Sequence, residues 1–143
     1  MSLNIAIQKT SKKGFVLIAK RMLEEGTTIE VAPAITISSE ERARLIDAKI
    51  FQYLFVNPHE SAASPNSLGY LVLGLMTLCS HSDEPNAKVF WNESGGVFFA
   101  SIKALRSIAQ GEEITVFYTN INEYPNRQQF IDRKSTRLNS SHT

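Results

Sequence analysis

The sequence predicts a mainly β domain with a few short helices. Short β-branched or apolar runs follow one another, separated by Gly, Pro and charged turn residues. They do not alternate with long amphipathic helices, as a doubly wound parallel sheet requires. A length of 143 residues with 43% hydrophobic content suits one domain with a real core.

Asn4 to Ile7 starts a short strand, and Phe15-Val16-Leu17-Ile18-Ala19 is a continuous apolar run suited to a buried one, with Lys12-Lys13-Gly14 as the turn between them. Glu24-Glu25-Gly26 breaks the chain, and Thr27 to Ala32 forms a third strand that Pro33 is expected to end. Ser38 with Glu41 three residues later is a capping-box pattern, which predicts a helix over 39–50 with Leu45, Ile46 and Ile50 on its buried face. Tyr53 to Val56 reads as a short strand, and 57–67, with two prolines, as a surface loop. Leu68 to Leu78 is apolar but too short to span a bilayer. With Gly69 and Gly74 in it, a short buried helix with close backbone approach is expected. Lys88 to Asn92 and Val97 to Ser101 flank Glu93-Ser94-Gly95-Gly96 as a hairpin, and Ile114 to Tyr118 is the last strand.

Fifteen Lys and Arg against fourteen Asp and Glu leave a net charge of +1, without the basic excess expected of a nucleic-acid wrapper. No apolar run approaches the roughly 20 residues of a membrane span, and the first ten residues lack the apolar core of a secretory signal. Cys79 is the single cysteine, so no disulfide or cysteine-rich zinc cluster arises from this chain alone. These features lead us to expect a cytoplasmic protein, or a nuclear one in a eukaryotic or viral source, with no direct nucleic-acid or membrane partner and no metal. Residues 132–142 resemble, residue for residue, the in-frame translation of a common sequencing adapter. The expected organisation is therefore one C-terminally truncated domain over 1–131 and an adapter-derived, disordered tail over 132–143.

Ser80-His81-Ser82-Asp83 does not read as a catalytic triad, because such side chains converge from separate elements whereas neighbours diverge. Cys79 beside His81 fails as a nucleophile pair for the same reason. More informative is the order of three signals: the Lys13-Gly14 turn opening a strand, then Ser80-His81-Ser82-Asp83-Glu84-Pro85-Asn86, then Gly111-Glu112-Glu113-Ile114-Thr115-Val116-Phe117-Tyr118. Together they resemble the SET domain of protein-lysine methyltransferases, in its minimal bacterial and algal-virus form, over about residues 5–124. The run Leu73 to Ala87 carries most of the resemblance.

The resemblance implies a fold of small curved sheets around a threaded loop, the pseudoknot, and S-adenosyl-L-methionine as cofactor. It implies cofactor contacts from Lys13, Gly14, Phe15, Val16, Ser80, His81 and Tyr118, with Tyr118 as the catalytic residue. Tyr53 and Tyr124 are implied as walls of the channel for the substrate lysine. Val116 lies where the family often carries an aromatic that limits methyl number, so its smaller side chain suggests room for more than one methyl group. Partners are then a lysine-containing protein or peptide, and the small relatives are compatible with a homodimer. Three positions depart from the family pattern: Val16 replaces the second Gly of Gly-x-Gly, Ser80 replaces Asn, and Phe117 replaces an acidic residue. A β-branched residue is costly where positive φ is needed. The alternative function is therefore a degenerate module that binds peptides or protein partners without catalysis. Glu112 and Glu113 read first as a solvated turn, and second as attractors of a basic peptide.

Overall fold

A computed structural model of the chain describes residues 2–56 and 69–118. The predicted loop over 57–67, Tyr124 and the tail over 132–143 lie outside the described residues. Strands β1 (Ile5–Thr10) and β2 (Gly14–Ala19) form an antiparallel hairpin whose register runs from Ile5 opposite Ala19 to Thr10 opposite Gly14. Gly14 closes the turn at φ 76°, a left-handed conformation that favours glycine. Thr10 Oγ1 accepts from Lys13 N–H at 3.0 Å and secures the turn from inside.

The central sheet has four antiparallel strands in the order β4 (Gly69–Val72), β3 (Thr28–Ile37), β7 (Val97–Ala104), β6 (Ala87–Ser94). β3 runs through Pro33 rather than ending there. It pairs with β7 as far as Pro33 and with β4 from Ala34 onward, so the missing N–H falls where one ladder hands over to the other. The Pro33 carbonyl still accepts from Leu73 N–H at 2.9 Å. β6 and β7 are longer than expected and join through Gly95 and Gly96, both at positive φ (59° and 81°), as a two-residue hairpin turn matched to strand twist requires. On the inner face of this sheet Trp91 stacks on Phe98 at 5.4 Å and lies 5.1 Å from Tyr70. Leu17, Leu23, Met76, Ile102, Ile108 and Ile114 fill the centre of the core.

The helix predicted over 39–50 is shorter, covering only α1 (Ser39–Arg44). Its capping box is present: Ser38 Oγ accepts from Glu41 N–H at 3.1 Å, and Glu41 Oε1 accepts from Ser38 N–H at 3.3 Å. What fails is packing, since Ile46 and Ile50 are exposed and α1 buries no residue. Short helices depend on a buried face. The chain tightens instead into a 3₁₀ turn over Lys49–Tyr53, which inserts Phe51 into the interior, and the Arg42 guanidinium lies 5.4 Å from the Phe51 ring. Tyr53 to Val56 is reduced to one bridge, Phe55 to Tyr70.

The apolar stretch expected as one helix divides into β4 and a second 3₁₀ turn, Leu75–Leu78. The cause is a distant carboxylate. Glu30 on β3 accepts from Leu75 N–H at 2.9 Å and from Met76 N–H at 2.8 Å, satisfying both donors that open the turn. Gly74 permits this approach, because a Cβ there would lie 2.6 Å from Ala32 Cβ and 2.8 Å from Glu30 Oε1. No helix among the described residues is long and apolar enough to cross a membrane.

The last described segment joins the two halves of the molecule. Residues 111–114 line the free edge of β2, with Gly111 N–H donating to Ala19 O, Ala19 N–H to Glu112 O and Ile114 N–H to Leu17 O, all within 2.9 Å. The same segment continues as β8 (Thr115–Val116), which pairs in parallel with β5 (Ser80–His81). The predicted strand over 114–118 is thus a two-residue ladder extended by single hydrogen bonds.

Asn86, 2% exposed, clamps this crossing. Its Nδ2 donates to Glu113 O at 2.7 Å and to Glu112 Oε2 at 3.3 Å, and its Oδ1 accepts from Thr115 N–H at 2.9 Å. Glu112 is correspondingly no mere solvated turn residue. The Arg106 guanidinium at 2.7 Å, then the Ala109 N–H and the Asn86 amide, hold its carboxyl well below the usual carboxylate range, at about 2.

Two outcomes follow from these contacts. Gly74→Ala is expected to lower stability in urea unfolding by about 1–3 kcal/mol through overpacking. Gly69→Ala, whose Cβ would meet nothing closer than 3.5 Å, is expected to change it by less than about 1 kcal/mol. Because the Glu112 carboxyl has its pKa lowered by folding, its contribution is present above the ordinary carboxylate range and is lost as pH falls from about 4.5 toward about 2. Unfolding midpoints measured across that window should therefore decline more steeply for the wild type than for Glu112→Gln, and parallel curves would refute the clamp's charge dependence.

Candidate functional site

Tyr118 is the centre of the site, and it is held at both ends. Its hydroxyl donates to the Cys79 carbonyl at 2.6 Å, and its backbone N–H donates to His81 Nδ1 at 3.0 Å. A phenol whose proton is committed to a carbonyl presents its oxygen as an acceptor. Tyr118 and His81 are each 8% exposed, and their rings lie 5.1 Å apart. Phe117, on the outer side, sets its half-exposed ring 4.9 Å from His81.

The local fold explains how these groups meet. The 3₁₀ turn over Leu75–Leu78 delivers Cys79 to the entrance of β5, so that its carbonyl faces the strand returning from the other end of the chain. The β5–β8 ladder then sets Ser80 opposite Thr115 and His81 opposite Val116. Ser82 N–H adds one more rung to Val116 O at 2.9 Å before the chain turns away. That turn brings Asp83 back to His81, where its Oδ1 lies 3.0 Å from Nε2. Neighbouring side chains in Ser80-His81-Ser82-Asp83 therefore do not all diverge. A bend after the short strand folds Asp83 under the ring, while Ser82 Oγ accepts from Glu84 N–H instead.

The Lys13-Gly14 turn reaches the same segment from the opposite side. Lys13 Nζ pairs with Glu113 Oε1 at 3.0 Å, and an Ile18–Glu113 bridge ties β2 to the residue five positions before Tyr118. The other carboxylate oxygen, Glu113 Oε2, is buried without a hydrogen-bond partner among the described residues. Glu113 is thus a half-buried acceptor beside a cation, not a freely solvated turn. Val16 needs no positive φ, since no described residue other than glycine adopts one. It is a buried strand residue opposite Gln8. Phe15 next to it is half-exposed.

The structure thus joins Lys13, Gly14, Ser80, His81 and Tyr118 through residues 113–118. Ser80 is buried in the ladder, and Val116 packs into the core, 3% exposed. Tyr53 is half-buried at the end of the first 3₁₀ turn. The sequence places Asn86 in the run that carries the family resemblance but does not disclose its clamp. The Asp83 contact left no sequence signal beyond its spacing of two from His81.

A family model described as SET domain matches residues 14–119. A Schizosaccharomyces pombe protein, "Histone-lysine N-methyltransferase, H3 lysine-37 specific", is 29% identical over 114 residues, covering 80% of this chain and 72% of that protein. A Candida glabrata protein, "Histone-lysine N-methyltransferase, H3 lysine-36 specific", is 33% identical over 124 residues, which cover 85% of this chain but 17% of the relative. Among solved structures, the Neurospora SET domain protein DIM-5, a histone lysine methyltransferase, superposes with a TM-score of 0.60 over 80% of this chain and 51% of that one, at 21% identity. The last likeness is one of fold. The family match over residues 14–119, which takes in the β5–β8 crossing and Tyr118, shows that the chain belongs to the SET domain family.

Proposed function

We propose that the protein transfers a methyl group from S-adenosyl-L-methionine to a lysine side chain of a protein substrate. The observation that carries this reading is the double anchoring of Tyr118, hydroxyl to the Cys79 carbonyl and backbone to His81. The residues fit the cofactor. The partly exposed Lys13 ammonium stands beside the Gly14 turn, where it suits the carboxylate of the amino-acid end of such a molecule. The Phe117 ring beside His81 offers an aromatic surface to its base. When bound, the cofactor supplies an electrophilic methyl on a sulfonium.

The chain's own residues position and desolvate. A lysine of pKa about 10.4 is protonated at neutral pH, and burial of its tip among apolar groups disfavours the cation. Tyr53 and Tyr124 are proposed to wall that approach. Tyr118 Oη, its proton directed to Cys79 O, is an acceptor toward an amine N–H and toward a polarised methyl, which aligns the two reactants without a covalent intermediate. The relatives' names make histone H3 the first substrate to test.

Calorimetric titration of the cofactor into the full chain should give saturable binding, and incubation with histone H3 should give methyl-lysine by mass spectrometry. Tyr118→Phe should keep the binding heat and lose about 10²-fold in turnover, the size typical of removing one oriented polar group. Binding without transfer would favour a peptide-binding module over an enzyme, and absence of binding would overturn the reading.

A further inference from the structure

We propose that Asp83 is a positioning residue that braces Tyr118 through the His81 ring. In its consequence for turnover this rests on the methyltransferase reading. The argument begins with protons. Tyr118 N–H must donate, so His81 Nδ1 is an acceptor and carries no proton. In the neutral ring the proton then sits on Nε2, and Nε2–H donates to Asp83 Oδ1 at 3.0 Å. Both ring nitrogens are engaged, in opposite directions, and the order Asp83, His81, Tyr118 N–H forms one chain of donors and acceptors.

The backbone shows why the ring is needed. A parallel ladder continued past Ser82 N–H to Val116 O would have Tyr118 N–H donate to the Ser82 carbonyl. The chain bends away at Asp83 and Glu84, directly after Ser82, and the His81 imidazole takes that rung instead. The hydrogen bond that fixes the Tyr118 backbone therefore depends on the rotation of a side chain. The Phe117 and Tyr118 rings, at 4.9 and 5.1 Å, limit where the ring lies, and Asp83 fixes its turn about χ2. Although the Asp83 side chain is 68% exposed, the His81 side chain it holds is only 3% exposed.

The test compares Asp83→Ala and Asp83→Asn with the wild type in the full chain. It reads the His81 Nε2–H proton by nuclear magnetic resonance, the exchange rate of the Tyr118 amide, and the kcat and KM of methyl transfer. In Asp83→Ala the Nε2–H resonance should be lost to exchange, and Tyr118 amide exchange should accelerate. In that variant kcat should fall about three- to tenfold, as for one lost hydrogen bond, with KM unchanged. Asp83→Asn, which keeps an acceptor oxygen, should restore all three. Unchanged Tyr118 exchange in Asp83→Ala would overturn the brace, as would a fall in KM-dependent binding with kcat intact. If the wild type transfers no methyl group, the methyltransferase reading fails separately, and the two resonance measurements alone decide the brace.

Discussion

The site depends on one buried amide. Asn86 uses both ends of its side chain to hold residues 112–115, so that one short segment serves two sheets at once: its first half completes the edge of β2 and its second half forms β8. The second half has the greater need of that clamp, since β8 has only two residues, whereas the first half has three backbone hydrogen bonds to β2. Tyr118 follows directly on this crossing, and its position is inherited from it. The amide suits the task because its donors and its acceptor sit on separate atoms of one planar head, so it can meet a carbonyl and an N–H of the same passing strand at once.

Charge is used sparingly and locally around the crossing. Arg106 and Lys13 each neutralise one of two adjacent carboxylates, Glu112 and Glu113, which would otherwise repel across a turn. The first of these pairs closes the turn onto Asn86, and the second ties the β1–β2 hairpin to the segment bearing Tyr118. Glu30 performs the same kind of service in the other half of the molecule, by capping the 3₁₀ turn that carries Cys79. Side chains from remote strands thus complete what local backbone hydrogen bonding leaves open.

Features governed by local chemistry were legible in the sequence. The Gly14 turn, the Gly95-Gly96 hairpin and the Ser38 capping box all depend on residues a few positions apart, and each is present. The family resemblance was legible because its motifs fall in a fixed order. The helix over 39–50 was not, because its length depended on whether Ile46 and Ile50 would find a core, and they do not. The stretch 68–78 looked helical by composition, yet Ala32 and Glu30 on a separate strand decide its conformation. At the site, the residue types at 13, 81 and 118 were readable, whereas the contact of Asn86 with Glu113 spans 27 residues, that of Glu113 with Lys13 spans 100, and that of Asp83 depends on a backbone bend, none of which periodicity encodes.

The pairing of residues 111–114 with β2 also sets an order of events in folding. The β1–β2 and β6–β7 hairpins close over a few residues and form early, on the microsecond scale of such elements. Joining Ile114 to Leu17 closes a loop of most of the chain, an entropic cost met only once intermediate contacts have shortened it. The pocket around Tyr118 is therefore among the last parts to take shape. Partially folded chains, however rich in native hairpins, lack it altogether, and competence at this site reports completed folding of the domain.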